Sequence, residues 1–317
     1  MAIINISPDT DITAFIASAA VSEGDVLLLA QGTYDQSVII SKNYVRLVSK
    51  DRKAVFDGSD LLANAFSLNG VTGVEIDGVN IQNYLSNGIS ISGGTGNRII
   101  RNLITDIGNR GISVSGSTAN LIWKNQINNV FDGVELISSS TNNWVIKNWI
   151  SDTIDDGFES FLPNDQNNAF IGNLAHDCGG NCFEIFGANC LALNNTAADC
   201  SNSGYLIAAG SNSVAIENSA KKCVDGVLQT SQNVFLALNE LKSNNGSGLE
   251  IRTDFNIAVW NHIAFNLDSG LVLGPNSNGN FIYQDKVECN TPFDIVTGGT
   301  DNNLLRNITG CREDCRS

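Results

Sequence analysis

The sequence predicts an all-β chain, folded as a single-stranded right-handed parallel β-helix (a solenoid) of about ten coils with a capping helix at its N-terminal end. Two columns of residues that share one period predict this fold. Asparagines recur every 21 to 25 residues, and Gln284 stands in place of one of them. Glycines repeat with the same period, and the residues after each glycine alternate between apolar inward positions and outward positions. The asparagine column is Asn102, Asn125, Asn148, Asn173, Asn195, Asn218, Asn239, Asn261 and Asn307. The glycine column is Gly88, Gly111, Gly133, Gly157, Gly204, Gly226, Gly248 and Gly270.

Short apolar or β-branched runs between the two columns predict a second strand in each coil, for example at residues 121–123 and 214–216. A period near 22 residues that contains strands and turns but no helical pattern excludes helical solenoids. The asparagine column predicts a ladder of amides that bond from coil to coil. We therefore expect one domain over residues 1–317, with regular coils over residues 70–311.

An open parallel stack needs a cap, because its end exposes strand edges and an apolar core. Residues 11–21 have the pattern of a short amphipathic helix, with Ile12, Phe15, Ile16 and Ala19 on one face. Thr10 or Asp9 can cap its start, and Gly24 can end it.

The segment that follows, Gly24-Asp25-Val26-Leu27-Leu28-Leu29-Ala30-Gln31-Gly32-Thr33-Tyr34, resembles the start of proteins in the pectin-lyase-like superfamily with parallel β-helix repeats. With the cap and the repeat, the resemblance covers nearly the whole chain. It implies the fold, but it leaves the activity open. The superfamily includes polysaccharide lyases, glycoside hydrolases, uronate epimerases, phage tailspikes and proteins without known catalysis.

Catalytic residues are not carried over from this superfamily. Asp155-Asp156 is similar to the paired aspartates of polygalacturonase-type hydrolases, but the accompanying histidine-glycine and arginine-lysine motifs are absent. The aspartate-proline-histidine motif of mannuronan epimerases and the calcium-binding nonapeptide repeat are also absent.

The charge and composition of the chain limit its possible partners and its cellular compartment. The net charge of −15 makes nucleic acid and anionic membranes poor partners, because both carry charge of the same sign. Eight cysteines and four sequons, at Asn5, Asn194, Asn245 and Asn307, favour a secreted glycoprotein. We expect a polysaccharide or small-molecule ligand, and the oligomeric state stays open.

The cysteines follow the repeat. Cys178, Cys200, Cys223 and Cys289 each lie five residues after a ladder position, so they share one lateral position on different coils. Disulfides between Cys178 and Cys200 or between Cys289 and Cys311, or a stack of buried free thiols, fit this spacing. Metal binding by Cys178, Cys182 and Cys190 is a weaker alternative, because a single C-x3-C lacks a partner pair.

The candidate site lies on the outer face of the strand that follows the glycine column. Strand alternation places Glu135, Glu159 and Glu184 outward on successive coils, about one strand spacing apart. The preceding turns add further candidates, namely Asp132, Asp155, Asp156 and His176. Such a cluster can supply a general acid and base, with Glu159, Glu184, Asp156, Glu135 and His176 as catalytic candidates. Alternatively it binds Ca²⁺ through Asp155, Asp156 and Glu159, or it is a solvated acidic surface.

An apolar stripe, Ile137, Phe161 and Phe186, lies beside the glutamates and can bind the face of a sugar ring or a small apolar molecule. Asp132 and Asp155 are further substrate-binding candidates. We expect the loop Leu162 to Asn168 to fold over the stripe, because large bare apolar patches are uncommon. Arg252 is the remaining catalytic candidate, as the base that a polyuronate lyase needs, and Lys221 and Lys222 are alternatives for that role.

The sequence thus favours a secreted carbohydrate-active enzyme, a polysaccharide lyase, glycoside hydrolase or uronate epimerase, with a carboxylate-lined groove. A non-catalytic binding or surface-structural protein is the second reading. An isomerase or cyclase acting on a small apolar molecule is the third.

Overall fold

The computed structural model of the protein describes residues 1–311, and the chain divides into two compact units, Met1–Ile154 and Asp155–Ser317. Each unit is a β-solenoid in which strands one coil apart pair in parallel. A coil contributes up to three strands, which we assign to faces 1, 2 and 3 in chain order. The asparagine ladder occupies the turn between faces 1 and 2, and the glycine column begins face 3. The predicted parallel β-helix is confirmed.

The first unit contains one helix and sixteen strands. Its face 1 comprises β1 (Ile3–Ile6), β2 (Val26–Leu29), β5 (Arg46–Ser49), β8 (Glu75–Asp77), β11 (Arg98–Ile100), β13 (Leu121–Trp123) and β15 (Trp144–Ile146). Helix α1 (Ile12–Ala17) lies between β1 and β2. Faces 2 and 3 comprise β3 (Gly32–Tyr34), β4 (Val38–Ile40), β6 (Ala54–Asp57), β7 (Asn64–Asn69), β9 (Asn80–Tyr84), β10 (Asn87–Ser92) and β16 (Trp149–Thr153). Two long strands, β12 (Leu103–Ser115) and β14 (Gln126–Ile137), run through both faces.

The second unit repeats the three faces with shorter strands. Face 1 comprises β18 (Ala169–Ile171), β21 (Leu191–Leu193), β24 (Val214–Ile216), β27 (Phe235–Ala237), β30 (Ile257–Val259), β33 (Phe281–Tyr283) and β36 (Asn303–Leu305). Face 2 comprises β19 (Leu174–Cys178), β22 (Thr196–Ala198), β25 (Ser219–Lys221), β28 (Glu240–Lys242), β31 (His262–Ala264), β34 (Lys286–Glu288) and β37 (Ile308–Thr309). Face 3 comprises β17 (Phe158–Ser160), β20 (Phe183–Ile185), β23 (Tyr205–Ile207), β26 (Val227–Gln229), β29 (Leu249–Ile251), β32 (Ser269–Leu273) and β35 (Phe293–Val296).

The described chain makes about 13 turns, so the expected count of about ten is too low. Parallel pairing already begins between β1 and β2 and continues to β5, well before residue 70. These first turns lack the asparagine and glycine columns, and the sequence pattern therefore did not reveal them.

The capping helix is shorter than the expected span of residues 11–21. Asp11, rather than Thr10 or Asp9, is the N-cap, because its Oδ1 accepts a hydrogen bond from the Ala14 backbone N–H at 2.9 Å. The helix ends at Ala17, and Ser18 caps it before Gly24 is reached. Ile12 and Ile16 are its buried residues. Among the described residues, no helix has the length and apolarity that a membrane crossing requires.

The asparagine ladder has the predicted chemistry. Asn195, for example, donates from its side-chain amide to the Phe170 carbonyl at 2.8 Å and to Asn218 Oδ1 at 3.0 Å. The prediction that Gln284 belongs to the ladder is wrong. The ladder passes through Asp285, whose Oδ1 accepts a hydrogen bond from the Asn261 backbone N–H at 2.6 Å. Gln284 has a left-handed backbone and faces outward, where it accepts a hydrogen bond from Trp260 Nε1.

The core of each unit stacks like residues along the solenoid. In the second unit, the rings of Phe158, Phe183 and Tyr205 stack in sequence with centroids 4.8 Å apart at each step. This spacing matches the distance between neighbouring strands, so these three coils present matching aromatic surfaces to one another.

Among the described residues of the second unit, two disulfides link cysteines of different coils. The Cys289–Cys311 disulfide confirms one suggested pairing. The suggested Cys178–Cys200 pairing is wrong, because Cys200 bonds to Cys182 instead. Cys178 is buried, and Cys190 and Cys223 are buried free thiols.

Candidate functional site

The two candidate acidic residues of the first unit, Asp132 and Glu135, both lie close to Arg110. Strand pairing aligns Arg110 with Asp132 and Ser113 with Glu135. Arg110 Nε lies 2.6 Å from Glu135 Oε2 and 3.6 Å from Asp132 Oδ2, and both carboxylates are buried. The Ser113 hydroxyl donates a hydrogen bond to Glu135 Oε2 at 3.1 Å. This arrangement is a compensated ion network, which sequence alternation alone did not predict.

Three carboxylates converge in the second unit. Glu159 on β17 and Glu184 on β20 are aligned across neighbouring strands, and Asp156 lies in the turn just before β17. Oxygens of these three residues all lie within 4.8 Å of one another. Glu159 is 7% exposed and Asp156 is 5% exposed, whereas Glu184 is more accessible. We call Asp156, Glu159 and Glu184 the carboxylate triad.

The turn before β20 shapes this triad. The Asn181 backbone N–H donates to Asp156 Oδ1 at 2.5 Å, and the Asn181 side-chain amide donates to Glu184 Oε2 at 2.9 Å. One residue thus orients two of the three carboxylates. Gly180 allows the close approach, because a Cβ at that position would lie 2.4 Å from the Oδ1 atoms of both Asp155 and Asp156.

The remaining predicted metal and catalytic candidates lie outside the triad. Asp155 is exposed, and Glu184 takes its place beside Asp156 and Glu159. His176 is on β19, which belongs to face 2, and its Nδ1 lies 2.6 Å from Asp177 Oδ2. The structure therefore places this histidine on a different strand stack from the carboxylates.

Arg252 belongs to a separate part of face 3. Glu184, Leu206, Leu228 and Glu250 occupy one register position on four successive strands, which separates Glu250 from Glu184 by about 14 Å at the usual strand spacing. The Arg252 guanidinium makes two hydrogen bonds to Glu250, at 2.6 and 3.0 Å. This pairing occupies the group proposed as a lyase base.

Sequence reasoning missed a second acidic residue on this part of face 3. Burial raises the pKa of Asp225, and the charges of Glu250 and Asp268 raise it further against the opposing effect of a hydrogen bond from the Ser247 backbone. Asp225 precedes Gly226 just as Asp156 precedes Gly157. The shared position before the glycine column was the available signal.

The predicted apolar stripe has two members in the second unit, and both are partly accessible: Phe161 is 48% exposed and Phe186 is half-buried. Its third member, Ile137, belongs to the first unit and is half-buried there. The expectation that residues 162–168 cover the stripe is wrong for Phe161. Within that loop Asp165 is fully buried, whereas residues 162–164 are exposed. The Asp165 carboxylate accepts a hydrogen bond from the Leu162 backbone N–H, and the Asp165 backbone carbonyl accepts one from the Ser160 hydroxyl.

The geometry can perform two kinds of chemistry. Aligned carboxylates can share the roles of general acid and base or nucleophile at a glycosidic bond. Their clustered oxygens are also of the type that Ca²⁺ prefers. An exposed phenylalanine beside them offers an apolar surface to a sugar ring.

Solved structures with low sequence identity share this fold. The A-module of the mannuronan C-5 epimerase AlgE6 from Azotobacter vinelandii superposes with a TM-score of 0.63 at 12% identity, over 94% of both chains. The surface adhesin PfbA of Streptococcus pneumoniae gives a TM-score of 0.64 at 11% identity, over 94% of this chain and 87% of the adhesin. The catalytic domain of a GH87 α-1,3-glucanase, solved with tetrasaccharides, gives 0.62 at 14% identity, over 99% of this chain and 66% of that one.

These neighbours include polysaccharide-acting enzymes and an adhesin, so at such low identity they show the fold alone. No curated protein matches the sequence. The family model described as "Right handed beta helix region" matches residues 35–161 and 64–221, which together span more than half of the chain. The expected pectin-lyase-like architecture is thereby confirmed, and the chain belongs to the right-handed β-helix family.

Proposed function

We propose that the protein is a secreted carbohydrate-active enzyme that cleaves glycosidic bonds at the carboxylate triad. The observation that carries the proposal is the convergence of Asp156, Glu159 and Glu184, with oxygens within 4.8 Å of one another. Two disulfides among the described residues are consistent with an oxidising compartment.

The spacing of the carboxylates favours one stereochemical course. Inverting glycosidases keep their two carboxyl groups about 6.5–9.5 Å apart to admit a water, whereas retaining enzymes keep them about 5–5.5 Å apart. The close pair of Glu159 and Glu184 therefore suits a retaining hydrolase, in which one group protonates the leaving oxygen and the other attacks the anomeric carbon. Glu184 is the more accessible of the two, and we assign it the contact with the leaving group.

Substrate binding is proposed to use the apolar stripe. Phe161 lies directly after Ser160, the last residue of β17, and it is half-exposed beside the buried Glu159. A sugar ring that rests on Phe161 would present its polar edge to the triad, because sugar rings have apolar faces and polar rims. The relatives that act on polysaccharides make such a ligand a reasonable first choice.

Ca²⁺ is a second proposed occupant of the triad. The oxygens of Asp156, Glu159 and Glu184 supply hard ligands of the kind that Ca²⁺ prefers, and a bound cation would offset the repulsion among three clustered carboxylates. When bound, the ion would neutralise the carboxylate of a uronic-acid substrate. Asn181 would then orient two of the ligands through its hydrogen bonds.

A screen of neutral and uronic-acid polysaccharides, with Ca²⁺ or with a chelator, tests the proposal. Release of reducing ends without ultraviolet absorbance indicates a hydrolase, and absorbance of unsaturated uronates indicates a lyase. Loss of activity with chelator that added Ca²⁺ restores shows that the reaction needs a cation. If no polysaccharide yields either signal, the enzyme proposal fails, and binding to the same polysaccharides without turnover would favour an adhesin-like role.

A further inference from the structure

A row of basic side chains marks the turn between faces 1 and 2 in the first unit. Arg101, Lys124 and Lys147 each follow the last residue of a face 1 strand, and all three have left-handed backbones with φ between 52° and 56°. The three side chains are exposed. They lie on successive coils, about 4.8 Å apart, which places three positive charges within about 10 Å along the first unit.

The fold does not require this basic row. The same left-handed position recurs before every ladder residue of the second unit from β21 onward, and there it holds varied side chains. Those side chains belong to Asn194, Glu217, Leu238, Trp260, Gln284 and Arg306. Like charges on neighbouring strands are destabilising, so three successive cations on a chain with a net charge of −15 need a reason other than stability.

A cavity of about 790 Å³ lies over this row. Its far wall is the loop that carries Lys50 and Arg52, which reaches across the coils. Arg52 Nε donates to the Arg101 carbonyl at 2.8 Å, and its Nη1 donates to Gln126 Oε1. These contacts fix the loop against the turn and give the basic row an opposing wall.

The cavity is positively charged, and much of that charge has no carboxylate partner. Five basic residues and two acidic residues line it, which gives a local net charge of +3. Asp77 neutralises Arg101 through two hydrogen bonds, and Lys124 lies 4.6 Å above the Trp123 ring. Within residues 1–311, Lys50, Arg52 and Lys147 form no ion pair with a carboxylate, and the two bonds of the Arg52 guanidinium go to neutral oxygens.

The lining of the cavity favours a sugar over a nucleic acid. Trp149, which is 48% exposed, contributes an indole ring beside the cations. Aromatic rings bind the apolar faces of sugars, and lysines bind carboxylates as point charges. A nucleic acid needs many phosphate contacts along a long basic surface, and the strongly acidic remainder of this chain would repel it. The volume also lies in the range of sites for small ligands.

We propose that this basic cavity is a binding site for a short acidic oligosaccharide, with sugar carboxylates on Lys124 and Lys147 and a ring on Trp149. The site is built entirely from the first unit and uses none of the triad residues. The proposal is therefore independent of whether the triad is catalytic. The site gives an acidic protein a local means of binding an anionic glycan.

Calorimetric titration with a trimer of galacturonic acid tests the proposal, and maltotriose and a single-stranded DNA decamer serve as comparison ligands. We expect the uronate trimer to bind, with affinity that decreases as salt increases, and maltotriose to bind at least about tenfold more weakly. The double variant Lys124→Gln/Lys147→Gln should weaken uronate binding about tenfold. Lys221→Gln, at an exposed lysine of the second unit, should leave it unchanged.

Three results would overturn the proposal: no uronate binding, equal affinity for maltotriose, or uronate binding that the double variant leaves intact. Tighter binding of the DNA would also overturn it in favour of a nucleic-acid site. Both substituted lysines are exposed, and circular dichroism of the variant checks that its fold is intact. Activity on polysaccharides does not enter this test, so its failure is distinguishable from failure of the triad.

Discussion

Replacement of Asp285 by asparagine should stabilise the protein at neutral pH. Asp285 is the one acidic member of the main asparagine ladder in the described chain, and it is fully buried. Its Oδ1 accepts from the Asn261 backbone N–H and side-chain amide, but its Oδ2 has no hydrogen-bond partner. In a regular ladder residue this second position is an amide that donates to a face 1 carbonyl, as in Asn261, which donates to Leu236.

Burial raises the pKa of Asp285 from 3.8 to about 7, against the opposing hydrogen bonds from Asn261. Between these two values the folded protein retains a proton that the unfolded chain releases. The free energy of unfolding therefore falls as pH rises from about 4 to about 7, and it stays low above that. A shift of about three pKa units corresponds to about 4 kcal/mol.

Asp285→Asn removes this titration and restores the donor. We expect the variant to match the wild type near pH 4 and to exceed it by about 2–4 kcal/mol at pH 8, as measured by denaturant unfolding followed by circular dichroism. Asp301→Asn, at an exposed carboxylate of the following coil, is the matched control and should change neither value. Equal pH dependence in the Asp285 variant and the wild type would refute the reasoning.

The other predictions concern the triad, the ladder and the sulfur atoms. Gly180→Ala should reduce polysaccharide turnover and lower the melting temperature, because its Cβ would displace carboxylates that lie 2.4 Å away; full activity would contradict this account of the turn. Asn195→Ala should cost about 1–3 kcal/mol of stability in denaturant unfolding, and an unchanged midpoint would remove its ladder role. Cys182→Ser should yield a Cys200–Cys223 disulfide in peptide mapping, since those Sγ atoms lie 2.8 Å apart; two free thiols would contradict this expectation.

The sequence predicted those parts of the fold that depend on a local period. Asparagine and glycine columns identify the coils from about residue 70 onward, and alternation after the glycine places Glu159 and Glu184 on one surface. The first coils carry neither column. Their strands are specified by short apolar runs, as in residues 26–29, and such a run is too short to define a repeat.

The details of the site depend on contacts that no period encodes. Asn181 orients Asp156 and Glu184 only because the turn before β20 brings it close to both, and the loop of residues 162–168 is anchored by the buried Asp165. The disulfide partner of Cys200 also depends on turn geometry. Cys178 and Cys182 are both buried near one coil's end, and spacing by coil could not distinguish them.

The central claim is that the triad performs catalysis, and the most direct measurement compares polysaccharide cleavage by Glu159→Gln with that by the wild type. Glu217→Gln, at an exposed glutamate in the turn between faces 1 and 2, is the control. The account predicts that Glu159→Gln retains the circular dichroism spectrum and melting behaviour of the wild type but loses turnover, while the control keeps it. Retained turnover in a folded Glu159→Gln protein would contradict the account.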